Sequence, residues 1–285
     1  MGKDLDGRLR RLHACRDADV IIELGCDLAD AGRDRDAERC FRRAAELGAA
    51  LGWFNLGNSL AARGRVEEAA DAYEQALAGG EADAWVNLGL VLEELGDLAG
   101  AMRAYEGAGR AGDSQGGLQL AFLLREQGES EEALAVAEQV AATGDAGAAA
   151  VVASWQWAAT GDVALEGELR MGAGRFAGAR TALAALLRAT DRLAEARFTL
   201  ERGAKLGETP AWLPLGNLYV EDLRDLEAAE EAYRAGIAAG DPYCHHNLAV
   251  LLAERGDLDG ALEHFRLGAA DGDDLAAQAL RELEG

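Results

Sequence analysis

Gly32, Gly64, Gly96 and Gly128 stand 32 residues apart each time, and Ala37, Ala69, Ala101 and Ala133 keep the same step. Two columns sharing one period mean that the chain is assembled from copies of one local unit. Within a copy, Trp53, Leu56, Gly57 and Leu60 fall at i, i+3, i+4 and i+7, the apolar stripe of an amphipathic helix. Val66, Ala69, Tyr73 and Ala76 repeat the stripe beyond the Gly64-Arg65 break. A glycine closing the first helix supplies the left-handed conformation that lets the chain reverse, so each copy is expected to be an antiparallel helical hairpin of roughly 30 residues. One such hairpin cannot bury both of its apolar faces, and the next copy provides the missing wall.

Gly57 and Gly89 lie inside the predicted first helices, where glycine costs about 1 kcal/mol against alanine. That cost predicts a close helix crossing, with Tyr73 or Tyr105 of the second helix packed over the missing side chain.

The segment Trp53-Phe54-Asn55-Leu56-Gly57-Asn58, followed by Gly64, Ala69, Tyr73 and Ala76, resembles the tetratricopeptide repeat, and residues 82–108 match almost as well. Two departures stand out. The unit is 32 residues rather than 34, and the proline usual after the second helix gives way to junctions such as Gly79-Gly80, Gly112-Asp113, Gly144-Asp145 and Gly240-Asp241. Those junctions look like the related Sel-like repeats. The resemblance implies an all-α fold, a right-handed α-α superhelix of about seven or eight stacked hairpins.

Carried along the chain, the register gives one repeat domain over 1–285. It comprises an N-terminal capping helix in 1–17, regular repeats over 18–145 and irregular ones over 146–206, read as hairpins 146–172 and 175–206. Tetratricopeptide or Sel-like repeats return over 207–272, with one extra residue in the turn around Asp222 to Asp225, and a C-terminal capping helix fills 273–285.

The 51 acidic residues outweigh 28 basic ones, for a net charge of −23. Neutralising phosphates takes clustered Lys and Arg, so the charge argues against nucleic acid and anionic membrane surfaces as main partners; it speaks first to solubility, and a partner with basic flanks is the other reading. The start of the chain lacks the apolar core of a secretory signal, and no apolar run reaches the ~18 residues of a membrane span. Cys15, Cys26, Cys40 and Cys244 show no paired spacing and read as reduced helical residues of a cytoplasmic, bacterial protein. The basic stretch Gly7 to Leu12 is the one local excess of positive charge in this reading, and it is taken as a cap whose Leu9 and Leu12 cover the first repeat. Its docking into the acidic groove of another copy is the sharper alternative.

Catalytic signatures are missing. The glycines of residues 171–178 sit in a helical pattern with no strand before them, and no P-loop, HExxH or GxSxG occurs. Cys244, His245 and His246 are adjacent, so on a helix they point about 100° apart, which speaks against a shared metal with His264. Carboxylate pairs such as Glu93-Glu94 read as solvated helix faces. No enzyme activity, cofactor or metal is expected.

The resemblance further implies that first helices line a concave face where peptides bind. Carried over by register, the lining is Phe54, Asn55, Asn58, Val86, Asn87, Leu90, Glu93, Leu118, Phe122, Arg125, Trp157, Asn217 and His246. Each apolar member has the alternative of filling the gap between helices. Asn55, Asn87 and Asn247 recur at one helical position, to hold a peptide backbone or to bond a neighbouring helix. The basic positions with which some members of the family grip a C-terminal carboxylate are occupied here by Ile22, Phe54, Val86, Leu118 and Ala150. An apolar groove with an acidic rim, holding a peptide or helix with basic flanks, is therefore the expected mode. A structural subunit working through its ends or convex face, a homo-oligomer, and an accessory component of an enzyme system are the competing readings.

Overall fold

The computed structural model describes residues 4–284. Among them are eighteen α-helices and no strand. The chain divides into two compact units, 1–140 and 141–285, the division falling inside the ninth helix.

The first unit opens with α1 (Leu5–Arg10) and a single 3-10 turn, Leu12–Ala14. Four hairpins follow: α2 (Ala18–Asp30) with α3 (Asp34–Glu46), α4 (Ala50–Ala61) with α5 (Val66–Ala78), α6 (Ala84–Glu94) with α7 (Leu98–Arg110), and α8 (Ser114–Glu126) with α9 (Ser130–Ala141). Leu12 is buried against the first hairpin and Leu9 packs beside it, while Arg8 reaches Asp27 at 2.8 Å. The basic N-terminal stretch thus covers the end of this core.

Gly32, Gly64, Gly96 and Gly128 all have positive φ, between 68° and 87°, at the reversals between paired helices. At junctions such as Gly112-Asp113 and Gly144-Asp145 a glycine and an aspartate divide the work in two residues. Gly112 turns the chain left-handed at φ 88°, and Asp113 then accepts from the backbone N–H of Gln115 at 2.8 Å. The preceding helix is closed and the next is capped in the same step.

The crossing glycines are pinned under aromatic rings. A Cβ on Gly57 would lie 2.5 Å from Cε1 of Tyr73, and the same obstruction recurs at Gly25 under Phe41, Gly89 under Tyr105 and Gly216 under Tyr233. In the fourth repeat the pattern relaxes on both sides at once, with Ala121 for the glycine and Ala137 for the aromatic, both fully buried.

The second unit holds α10 (Ala146–Thr160) with α11 (Glu166–Gly172), α12 (Ala177–Ala189) with α13 (Leu193–Lys205), α14 (Trp212–Leu218) with α15 (Leu226–Ala238), α16 (Tyr243–Glu254) with α17 (Leu258–Ala270), and α18 (Asp274–Glu284). Where glycine is missing from the reversal, other residues adopt its conformation: Asp191 at φ 59° before α13 and Arg224 at φ 58° before α15. The extra residue after α14 is absorbed in a π-helical stretch, Tyr219–Leu223, closed by a bond from the Asp225 N–H to the Tyr219 carbonyl at 3.0 Å.

An ionic clasp recurs between successive hairpins. A carboxylate near the start of one second helix meets an arginine in the turn of the next hairpin: Glu38 with Arg63 and Arg65, Glu166 with Arg192, and Glu230 with Arg255. Glu166, held by Arg192 and then Arg170, has its pKa lowered to about 2.

Candidate partner-binding surface

In the first unit α2, α4, α6 and α8 are successive neighbours, so Phe54, Asn55, Asn58, Val86, Asn87, Leu90, Glu93, Leu118, Phe122 and Arg125 share one layer of first helices. Trp157 on α10, Asn217 on α14 and His246 on α16 belong to the second unit. The proposed lining is therefore distributed over two compact bodies.

Burial sorts the first group. Leu90 is 42% exposed and Arg125 is exposed, whereas Phe54, Leu118 and Phe122 are half-buried. Val86 is only 5% exposed, which makes it a core residue between helices rather than part of a surface. Phe54 leans on Tyr73 with ring centroids 6.2 Å apart.

Most of the polar members are already engaged. Asn58 Oδ1 accepts from the Tyr73 hydroxyl at 2.8 Å and from the Asn87 amide at 2.9 Å. Asn217 does the same for Tyr233 and Asn247, both at 2.7 Å. Burial pushes the Tyr73 and Tyr233 hydroxyls up to about 12, so both stay protonated and serve as donors. Glu93 accepts from the Tyr105 hydroxyl, whose pKa burial and then this carboxylate raise. Of the two roles open to the recurring asparagines, Asn87 and Asn247 bond the neighbouring first helix. Asn55 differs because Cys26 fills the facing position on α2; its amide turns back to the Leu51 carbonyl at 3.0 Å.

That local change leaves a cleft of about 360 Å³ in the first unit, lined among others by Cys26, Asp30, Asp34, Asn55, Asn58 and Arg63. It has the amides and carboxylates to meet a backbone and a basic side chain.

Chemistry elsewhere is quiet. Burial pushes the thiols of Cys40 and Cys244 up to about 11 and about 12, which keeps them protonated and poorly nucleophilic. Cys15 lies just past the 3-10 turn and Cys26 is exposed. His245 and His264 meet Nδ1 to Nδ1 at 2.9 Å, while the His246 ring lies 5.7 Å from Phe265. Among the described residues no group of three or more His, Cys, Asp or Glu side chains is set to hold a metal ion, and no helix is long and apolar enough to cross a membrane.

One part of the charge reading needs correction. The N-terminal stretch is not the sole basic segment, since residues 170–205 carry eight basic residues against three acidic ones. The signal was available in sequence but was hidden because the arginines are spread over three helices rather than clustered in a run.

Models of the tetratricopeptide repeat match residues 22–83, 71–115, 114–139 and 242–266. Among solved structures, a Sel1 repeat protein from Oxalobacter formigenes is similar at 21% identity and a TM-score of 0.68, over 99% of this chain and 92% of that one. The protective antigen c5321 of uropathogenic Escherichia coli, which displays an SLR fold, matches at 18% identity and 0.58 over 98% and 74%. A chain of the APC/C hetero-tetramer Cut9-Hcn1 matches at 14% identity and 0.63, over 98% of this chain but 59% of its own length. At these identities the likeness is one of fold. No curated protein matches the chain.

Proposed function

Because this chain belongs to the family of tetratricopeptide and Sel-like repeat proteins, we propose that it acts by binding, as a non-catalytic cytoplasmic scaffold or adaptor for a protein partner. Repeats of this fold generally mediate protein–protein contacts, and the first-helix layer of the first unit is the surface we assign to that role. The observation that carries the assignment is the cleft between α2 and α4, where Asn55 is left with no neighbouring asparagine to bond and Asp30 and Asp34 stand beside it. A partner segment with a basic residue for the two aspartates, and an apolar residue for the face bearing Leu90, fits this chemistry. With a net charge of −23 the chain would attract such a partner over distance and lose the advantage as salt rises.

The test is capture of partners from the source cell by native chain and by an Asn55→Arg/Leu90→Asp double variant, whose substituted positions lie outside the core and whose helicity is checked first. Partners lost with the variant support the first-helix face. Partners held equally by both move the interface to other surfaces and favour the structural-subunit reading.

A further inference from the structure

The second unit carries a cleft of about 530 Å³ whose walls come from α11, from α12 and mainly from α13. Within that unit it lies on the second helices α11 and α13 and the start of α12. Its charged lining is three arginines, Arg170, Arg180 and Arg202, with Glu195 as the sole carboxylate. Phe198, 67% exposed, stands among them, and Leu183 contributes a buried apolar wall.

Two arginines are largely engaged. Arg170 donates to Glu166 at 2.8 Å and to Glu195 at 2.7 Å. Arg180, only 3% exposed, pairs with Glu208, yet its Nε has no hydrogen-bond partner. That guanidinium is thus held inside the wall of the cleft and not at its surface. Arg202 is exposed and makes no ion pair or hydrogen bond with the described residues. With Arg192 on Glu166, three glutamates offset Arg170, Arg180 and Arg192, and Arg202 is left as one positive charge in surplus. A single carboxylate matches that surplus, whereas a doubly charged phosphate would exceed it.

From this geometry we infer that the cleft binds an acidic peptide segment of a partner protein, one Glu or Asp carboxylate meeting Arg202 while a neighbouring apolar side chain covers Phe198. The rest of the chain repels such a segment at long range. At physiological ionic strength, however, the Debye length is about 8 Å, so the local arginines decide the outcome at contact. Guanidinium forks suit carboxylates by geometry as well as by charge. The site is independent of the first-helix reading and stands or falls separately.

The experiment titrates full-length chain against a short fluorescein-labelled peptide of alternating leucine and glutamate, read by fluorescence anisotropy at physiological salt. Saturable binding is expected, weakened roughly tenfold or more by Arg202→Glu and severalfold by Phe198→Ala, both exposed positions whose substitution leaves the fold intact. The Asn55→Arg/Leu90→Asp variant should bind as the native chain does. The idea is overturned if the glutamine counterpart of the peptide binds equally, if Arg202→Glu changes nothing, or if inorganic phosphate displaces the peptide at comparable concentration. It is overturned too if light scattering shows that the native chain self-associates through this cleft and Arg202→Glu releases monomers, since the occupant is then a second copy.

Discussion

The amide of Asn87 donates to Asn58 Oδ1 at 2.9 Å across the junction of two first helices, while the buried Tyr73 hydroxyl donates to the same oxygen from the second helix. One acceptor therefore ties a hairpin to itself and to its successor. Asn58→Ala strands the Tyr73 hydroxyl and loses two bonds, at a cost of about 1–3 kcal/mol. Asn58→Asp, which keeps the acceptor, should recover most of that loss. Asn55→Ala, which removes only a bond to its own helix, should cost less than about 0.5 kcal/mol. Denaturant melts of the three variants decide the matter, and equal losses at 55 and 58 would refute the bridging role.

The crossing glycines allow one substitution to be tested with opposite signs. Gly57→Ala places a methyl group 2.5 Å from the Tyr73 ring, and overpacking of about 1–3 kcal/mol should exceed the ~1 kcal/mol of helix propensity gained. Gly167, near the start of α11, has open space within 4 Å of where an alanine methyl would stand. There Gly→Ala should stabilise by a few tenths to about 1 kcal/mol. A stabilising Gly57→Ala in a thermal melt would mean that Tyr73 yields at little cost.

What was legible in the sequence follows from this packing. Gly57 and Tyr73 betray each other because a missing side chain inside a helix needs a neighbour to explain it, and Gly32, Gly64, Gly96 and Gly128 announce their turns because few other residues tolerate positive φ. Residues 146–206 were obscure for the converse reason: Asp191 takes the left-handed position without being glycine, so the turn leaves no mark in composition. The candidate surface was less legible than the fold. Amphipathic periodicity places Val86 and Leu90 on the same helix, but whether a neighbouring helix covers one and not the other depends on helix spacing that no single helix encodes. The roles of Asn87 and Asn247 likewise rest on partners about 30 positions away.

The clasp at Glu38 should be a local stability determinant. Its carboxylate, one tenth exposed, accepts from Arg42 at 2.9 Å, Arg63 at 2.7 Å and Arg65 at 3.1 Å, joining the first hairpin to the second. Replacing it by glutamine takes the anion from Arg42 and Arg63, while Arg65 keeps Glu68. Because those side chains are 32–47% exposed, water recovers part of the loss, and a cost of about 1–3 kcal/mol is expected rather than the larger penalty of a fully buried pair. Glu46→Gln, which breaks only the pair with Arg43, serves as the control, at about 0–1 kcal/mol. Similar melting curves for the two variants would reduce the clasp to a surface contact.

The His245–His264 contact gives the second unit a pH dependence of definite sign. With Nδ1 atoms 2.9 Å apart, one ring donates and the other accepts; protonating both would turn two N–H groups toward each other. Burial first, then His245 and Arg234, hold the His264 pKa below its ordinary value of 6.5, with Glu263 opposing. The unfolded chain thus takes up the proton before the folded one as pH falls, so this contribution to stability is complete above about 6.5 and is lost on acidification toward the folded-state pKa. The melting temperature of the second unit should therefore decline from about pH 7 to about pH 5. His264→Gln, which keeps an amide beside His245 but cannot titrate, should flatten that decline. Calorimetric scans across the range provide the check, because an unchanged slope in the glutamine variant would assign the acid sensitivity to carboxylates elsewhere in the chain.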